Sequence, residues 1–178
     1  MIKIESYIDE RTFRRFKIFH VFRLYKAWKS PVIFASILCV SAIICFIKRA
    51  TDGALFLGSI LVLIGLTLPV VWFSTFFASL RKECKRWNLN PPRLVYTFEL
   101  DDSDAGIHVA NEKQRAVYRW DIAGKAYLDE GCIYLFMTAD QAFLLPYKEE
   151  QREELWGLFR ARMGEKALDV RKRADSRR

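Results

Sequence analysis

The residues of this 178-residue chain best suited to nucleophilic, redox or metal chemistry are two histidines and four cysteines. Their spacing supports none of it. His20 falls in a basic and aromatic stretch and His108 in an alternating one. Neither has a Ser or Cys motif beside it, and an activated nucleophile needs a base within hydrogen-bond reach. Cys39 and Cys45 lie inside an apolar run, Cys84 just past a second one, and Cys132 in the polar half. No CxxC pair and no Cys/His cluster has metal-ligand spacing, so the thiols read as small apolar residues in reducing surroundings. Cys84 alone is placed where acylation is open to it. No glycine-rich phosphate loop is present. Asp101–Glu112 matches a calcium loop at Asp101, Ser103, Gly106 and Glu112, but puts Ala105 at the fifth position between strand-like flanks. A polar hairpin turn is the expectation there. Trp120-Asp121-Ile122 offers an aromatic beside a carboxylate, as a groove wall would, but packing of Trp120 under a helix is expected instead. The chain is thus expected to have no catalytic residue, no cofactor and no metal.

The elements that carry these residues divide the chain. Pro31–Ile47 and Ala54–Leu80 are apolar runs without a charged side chain, separated by Lys48–Gly53. Core helices of soluble domains are rarely apolar on every face for so long, so a transmembrane hairpin over 31–80 is predicted, with spans 31–47 and 54–80. At 1.5 Å per residue the spans reach roughly 26 and 40 Å against a hydrocarbon core of about 30 Å, so the second must tilt or project. Pro69 is expected to kink it. Ala35, Cys39 and Ala42 on one helix, and Gly58 and Gly65 on the other, provide faces for close packing, within one chain or between chains of a homo-oligomer joined through these helices.

Charge sets the orientation. The net +8 is uneven: Met1–Ser30 carries +5, Lys48–Gly53 +1, Arg81–Arg93 +4, Leu94–Tyr147 −5 and Glu165–Arg178 +3. Arg14, Arg15, Lys17, Arg23, Lys26 and Lys29 flank the first run, and Arg81, Lys82, Lys85 and Arg86 follow the second. These ten are the candidate membrane-surface residues. They place both termini in the cytoplasm of a multi-pass protein of the cell membrane. No basic stripe lies along the folded part, so nucleic acid is not an expected partner.

Residues 1–8 alternate weakly, with Ile2 and Ile4 opposed to Lys3 and Glu5, as a strand does. Asp9 can cap a basic, aromatic helix over 9–30, carrying Phe13, Phe16, Phe19, Phe22, Tyr25 and Trp28. Such a helix either lies at the headgroups or leads into the first span. Asn88–Arg93 breaks the second helix with two prolines. A cytoplasmic domain over 94–164 follows. Short strands are predicted at Leu94–Leu100, Gly106–Ala110, Arg115–Trp120, Lys125–Leu128, Cys132–Thr138 and Gln141–Leu145. Leu155, Leu158, Phe159 and Met163 then make the apolar stripe of a helix that Gly164 can end. Residues 165–178 read as a disordered charged tail. The fold class expected is an α+β membrane protein: a two-helix hairpin plus a small pleckstrin-homology-like (PH-like) antiparallel barrel or sandwich closed by a C-terminal helix. With both termini on one side, Met1–Tyr7 can add a seventh strand.

Phe98-Glu-Leu, Ala105-Gly-Ile107, Tyr118-Arg-Trp-Asp-Ile122 and Ala142-Phe-Leu-Leu-Pro146, placed after two spans, resemble the YcxB-like proteins of bacteria over nearly the full length. The resemblance implies a PH-like C-terminal domain and no defined activity. Many members carry a basic residue after the proline; here Tyr147 stands there and Lys148 follows. The expected function is a membrane-anchored interaction or regulatory module, with the lipid bilayer and a protein as partners. The alternative is an anionic-headgroup-binding module using Lys113, Arg115, Arg119 and Lys125, against which the −5 of Leu94–Tyr147 counts. Two spans without an intramembrane charge offer no ion path.

Overall fold

The computed structural model describes residues 2–48, 53–103, 106–112, 114–139 and 141–171. The chain divides into two compact units, Met1–Thr12 with Leu89–Arg178, and Phe13–Asn88.

The first unit is built on two four-stranded sheets. One has the order β1-β2-β3-β4, from Ile2–Ile8, Arg93–Leu100, Ile107–Ala110 and Arg115–Tyr118. The other has the order β7-β6-β5-β8, from Ala142–Pro146, Cys132–Phe136, Lys125–Asp129 and Ala167–Asp169. Each predicted strand is present within a few residues of its expected bounds. The two sheets do not close into a barrel. Their seam is bridged by a side chain, Ser6 Oγ, which donates to the Leu144 carbonyl at 2.7 Å.

β1 pairs antiparallel with β2, Ile2 opposite Leu100 and Ile8 opposite Arg93, across the whole of the second unit in sequence. Its alternation sends Ile4, Ser6 and Ile8 inward and Lys3, Glu5 and Tyr7 to solvent. A bulge at Ser6/Tyr7 lets Val95 stand unpaired. The core joins Ile4, Phe98, Leu100 and Ile107 of one sheet to Leu128, Ile133, Leu135 and Leu145 of the other. Helix α4 (Glu149–Met163) covers it with Leu155, Trp156, Phe159 and Met163. Gly164, at φ 54°, takes the left-handed position that ends the helix.

The tail expectation is corrected here. Gly164–Lys166 forms a 3-10 turn, and Ala167–Asp169 is strand β8, parallel to β5 with Leu168 opposite Tyr127. Val170 is buried and its amide donates to Leu128 O at 3.1 Å. Lys166 Nζ donates to the carbonyls of Asp121 and Ala123. A charged average composition hid a three-residue pairing held largely by backbone groups. Residues 172–178 of the predicted tail lie outside the described residues.

The second unit is helical. Asp9 Oδ1 accepts the Thr12 amide at 2.7 Å and so caps α1 (Glu10–Ile18), whose body belongs to this unit. The helix continues as a wider π turn, Phe19–Leu24, and then breaks. A single helix over 9–30 is therefore not formed: Lys26 adopts φ 50° and ends it. Helix α2 (Lys29–Ile47) and helix α3 (Ala54–Trp87) follow, with α3 continuous through Pro69. α3 outruns the apolar segment by seven residues, because Arg, Lys and Glu sustain a helix as well as apolar residues do. Asn88, at φ 49°, stops it ahead of Pro91 and Pro92.

Candidate functional site

The feature that sets this chain apart is the outer surface of α2 and α3. The seam between them is made by small residues. A methyl group placed on Gly65 would lie 3.3 Å from Cys39 Sγ and 3.4 Å from Ala35 O. One on Gly58 would lie 3.2 Å from the Phe46 ring. Ala35 and Ala42 are buried along the same line. The small-residue faces thus meet each other within one chain.

Away from this seam, most of the apolar stretch of both helices is uncovered. Only 17% of the most apolar window of α2 and 11% of that of α3 is buried. Ile47, Phe56 and Leu63 are 76%, 73% and 68% exposed. Both helices are long and apolar enough to cross a membrane. The hydroxyls of Ser36, Ser41, Ser59, Thr67 and Thr75 each donate to a carbonyl one turn back in their own helix, at 2.6–2.9 Å. They need no outside partner.

The ten predicted surface cations are all in this unit, at one end of the helix pair. α1 and its π turn run alongside α3, antiparallel to it. Lys17 Nζ meets Glu83 at 2.8 Å, and Phe22 stacks on Phe73 at 5.9 Å and meets Trp72 and Phe76 edge-on. The basic, aromatic helix thus packs on α3 and breaks at Lys26 before α2 begins. Carried along from the Gly65 and Gly58 contacts, the same offset brings Lys29 about level with Ser74.

The cations therefore fall in two tiers. Arg23, Lys26 and Lys29 lie low, beside the Phe22–Trp72–Phe76 aromatics. Arg14, Arg15, Arg81, Lys82, Lys85 and Arg86 lie higher, with the four on α3 roughly 10–18 Å along the axis from Ser74. Arg81, Lys82, Lys85 and Arg86 are all exposed, and Glu83, on the same helix, is taken by Lys17.

The residues considered for chemistry are not brought into a reactive arrangement. The His20 ring is flanked by Phe16 at 5.7 Å and Tyr25 at 4.7 Å. His108 stands on the outer face of β3, opposite Glu99 and Val117. Among the described residues no group of three or more His, Cys, Asp or Glu is placed to hold a metal ion. In the calcium-like loop, Asp104 and Ala105 lie outside the described residues; Asp101 O accepts from Trp120 Nε1 at 3.1 Å and Asp102 pairs with Arg162 at 2.6 Å. Trp120 packs edge-on against Phe159 of α4 at 5.3 Å, as expected of a core aromatic.

Of the possible headgroup ligands, Lys113 lies outside the described residues. Arg119 is paired with Asp121 at 3.0 Å, while Arg115 and Lys125 stand on different sheets. Tyr147 ties down the β5–β6 hairpin: its hydroxyl donates to Asp129 O at 2.7 Å and accepts from the Gly131 amide. Burial pushes that hydroxyl's pKa up. The acidic residues at the start of α4 did not stand out in the sequence, because the cations of Lys148–Gly164 balance them and that segment is neutral.

No protein family, no curated protein and no solved structure matches this chain.

Proposed function

We propose that this protein is a membrane-anchored cytoplasmic interaction module, with α2 and α3 as a two-span anchor and the two-sheet unit as a PH-like domain. The observation that carries this reading is the exposure of the two apolar helices, which in water would leave an uncovered apolar surface far larger than soluble monomers tolerate. A buried core helix has the opposite exposure.

The placement of charge supports the orientation. With the Trp72–Phe76 aromatics at the headgroup level, Ala54–Val71 spans roughly 27 Å, close to the hydrocarbon thickness. Arg23, Lys26 and Lys29 then sit at the cytoplasmic surface, and both termini are on that side. α1 and the end of α3 form a short stalk above the lipid. Seven antiparallel strands followed by one covering helix support the PH-like reading. A headgroup-binding role for the two-sheet unit is less favoured, because Arg119 is already paired and Arg115 and Lys125 do not converge.

The test is alkaline carbonate extraction, with single cysteines at Lys3 and Arg177 labelled by a membrane-impermeant thiol reagent from either side. Retention in the pellet with labelling from the cytoplasmic side alone is expected. Release into the supernatant, or labelling of the two positions from opposite sides, defeats the reading.

A further inference from the structure

The upper cation tier has no assigned role. Arg81, Lys82, Lys85 and Arg86 occupy positions i, i+1, i+4 and i+5 of α3, so they form one strip about 7.5 Å long on one side of the helix. The opposite side is engaged, through Leu80, Glu83 and Cys84. The strip begins roughly 10 Å above the level of Lys29, and its far end stands beyond a headgroup layer some 5–7 Å deep. On the membrane reading the lower tier already meets the positive-inside rule, and among the described residues no ion pair holds these four.

The other unit holds a strip of the same spacing and opposite sign. Glu149, Glu150, Glu153 and Glu154 occupy i, i+1, i+4 and i+5 of α4. All four are exposed, on the side away from Leu155, Trp156 and Phe159. Arg152 engages Glu149 and Glu153, leaving Glu150 and Glu154 without a partner among the described residues.

We propose that a second copy of this chain is the partner: the glutamate strip of α4 in one copy docks along the α3 strip of another. The two patterns register one turn apart along both helices, so Glu150 and Glu154 meet Lys82 and Arg86. An exposed ion pair alone is weak. Here several act together, between copies confined to one membrane at high effective concentration, and opposite strips also steer the encounter. The proposal rests on the membrane reading for that confinement. The carbonate extraction above reports on the anchor independently, so the two can fail separately.

The test uses two differently tagged full-length copies, co-reconstituted in phosphatidylcholine nanodiscs large enough for several chains. Co-capture at low salt is expected, falling roughly tenfold when Glu150→Lys/Glu154→Lys is present in both copies, and falling likewise at high salt. Pairing a Glu150→Lys/Glu154→Lys copy with a Lys82→Glu/Arg86→Glu copy should restore it. Unchanged thermal midpoints show that each variant folds. Co-capture indifferent to both charge reversals overturns the proposal. So does its absence from wild-type protein, whether the strip is then taken up by anionic lipid or by the glutamates of its own chain.

Discussion

Ser6 Oγ donates to the carbonyl of Leu144, 138 residues away, and this 2.7 Å bond links the first strand of one sheet to the last antiparallel strand of the other. Ser6 is fully buried. Ser6→Ala should leave the Leu144 carbonyl without this donor and cost about 1–3 kcal/mol. Thermal unfolding of the detergent-solubilised protein, followed by tryptophan fluorescence, measures it. A midpoint equal to that of the wild type would show that the seam does not depend on this bond.

Asp9 offers a pH test. Burial raises its pKa, but hydrogen bonds from the Thr12 side chain and amide outweigh this, and the net shift is downward. A carboxylate depressed in the folded state contributes stability that is present above the unfolded value of about 3.9 and is lost as pH falls through the folded value. Asp9→Ala should cost about 1 kcal/mol at neutral pH through loss of the cap. Asp9→Asn keeps an acceptor, so its deficit relative to wild type should shrink as pH drops below about 4. A deficit constant from pH 7 to pH 3 contradicts the charge contribution.

At the helix seam, Gly65→Ala must displace neighbours already at 3.3–3.4 Å, and Gly65→Leu cannot be accommodated without separating α2 from α3. Overpacking of this kind costs about 1–3 kcal/mol. Titration with sodium dodecyl sulfate, read by the loss of compact gel mobility, should rank wild type above Gly65→Ala and Gly65→Leu last. Leu57→Ala, on the exposed face, should leave the profile unchanged.

Two buried tryptophans should respond differently to the same substitution. Trp120 Nε1 bonds Asp101 O, whereas Trp156 Nε1 is buried with no partner among the described residues. Trp120→Phe should destabilise by about 1 kcal/mol, while Trp156→Phe removes an unsatisfied donor and should be neutral or stabilising. Urea or thermal midpoints of the two variants compared side by side decide it.

Much of this architecture was legible in the chain. Short apolar and alternating stretches between polar turns marked β2 to β7, though β6 is buried at every position rather than on one face, and the apolar runs marked α2 and α3. Three features were not legible, each for a physical reason. β8 and the buried Val170 that follows it lie inside a charged stretch, where composition argues against order. The break before α2 falls at Lys26 in the left-handed region, with neither Gly nor Pro to announce it. The end of α3 lies beyond the apolar run, since solvent exposure stops hydrophobicity but not helicity. For the candidate site, the sequence identified the basic residues; their division into tiers needed the contacts of Gly65, Phe22 and Lys17.

The pairing of β1 with β2 has a consequence for synthesis. Ile2–Ile8 leaves the ribosome first and then waits, without its neighbour, until Arg93–Leu100 has been made. On the two-span reading proposed above, α2 and α3 must both cross the bilayer or both stay out of it, or the two strands finish on opposite sides and can never meet. On that reading a completed first sheet excludes a single crossing. A chain that loses one crossing should leave β1 and β2 apart, with the cytoplasmic one orphaned and open to proteolysis.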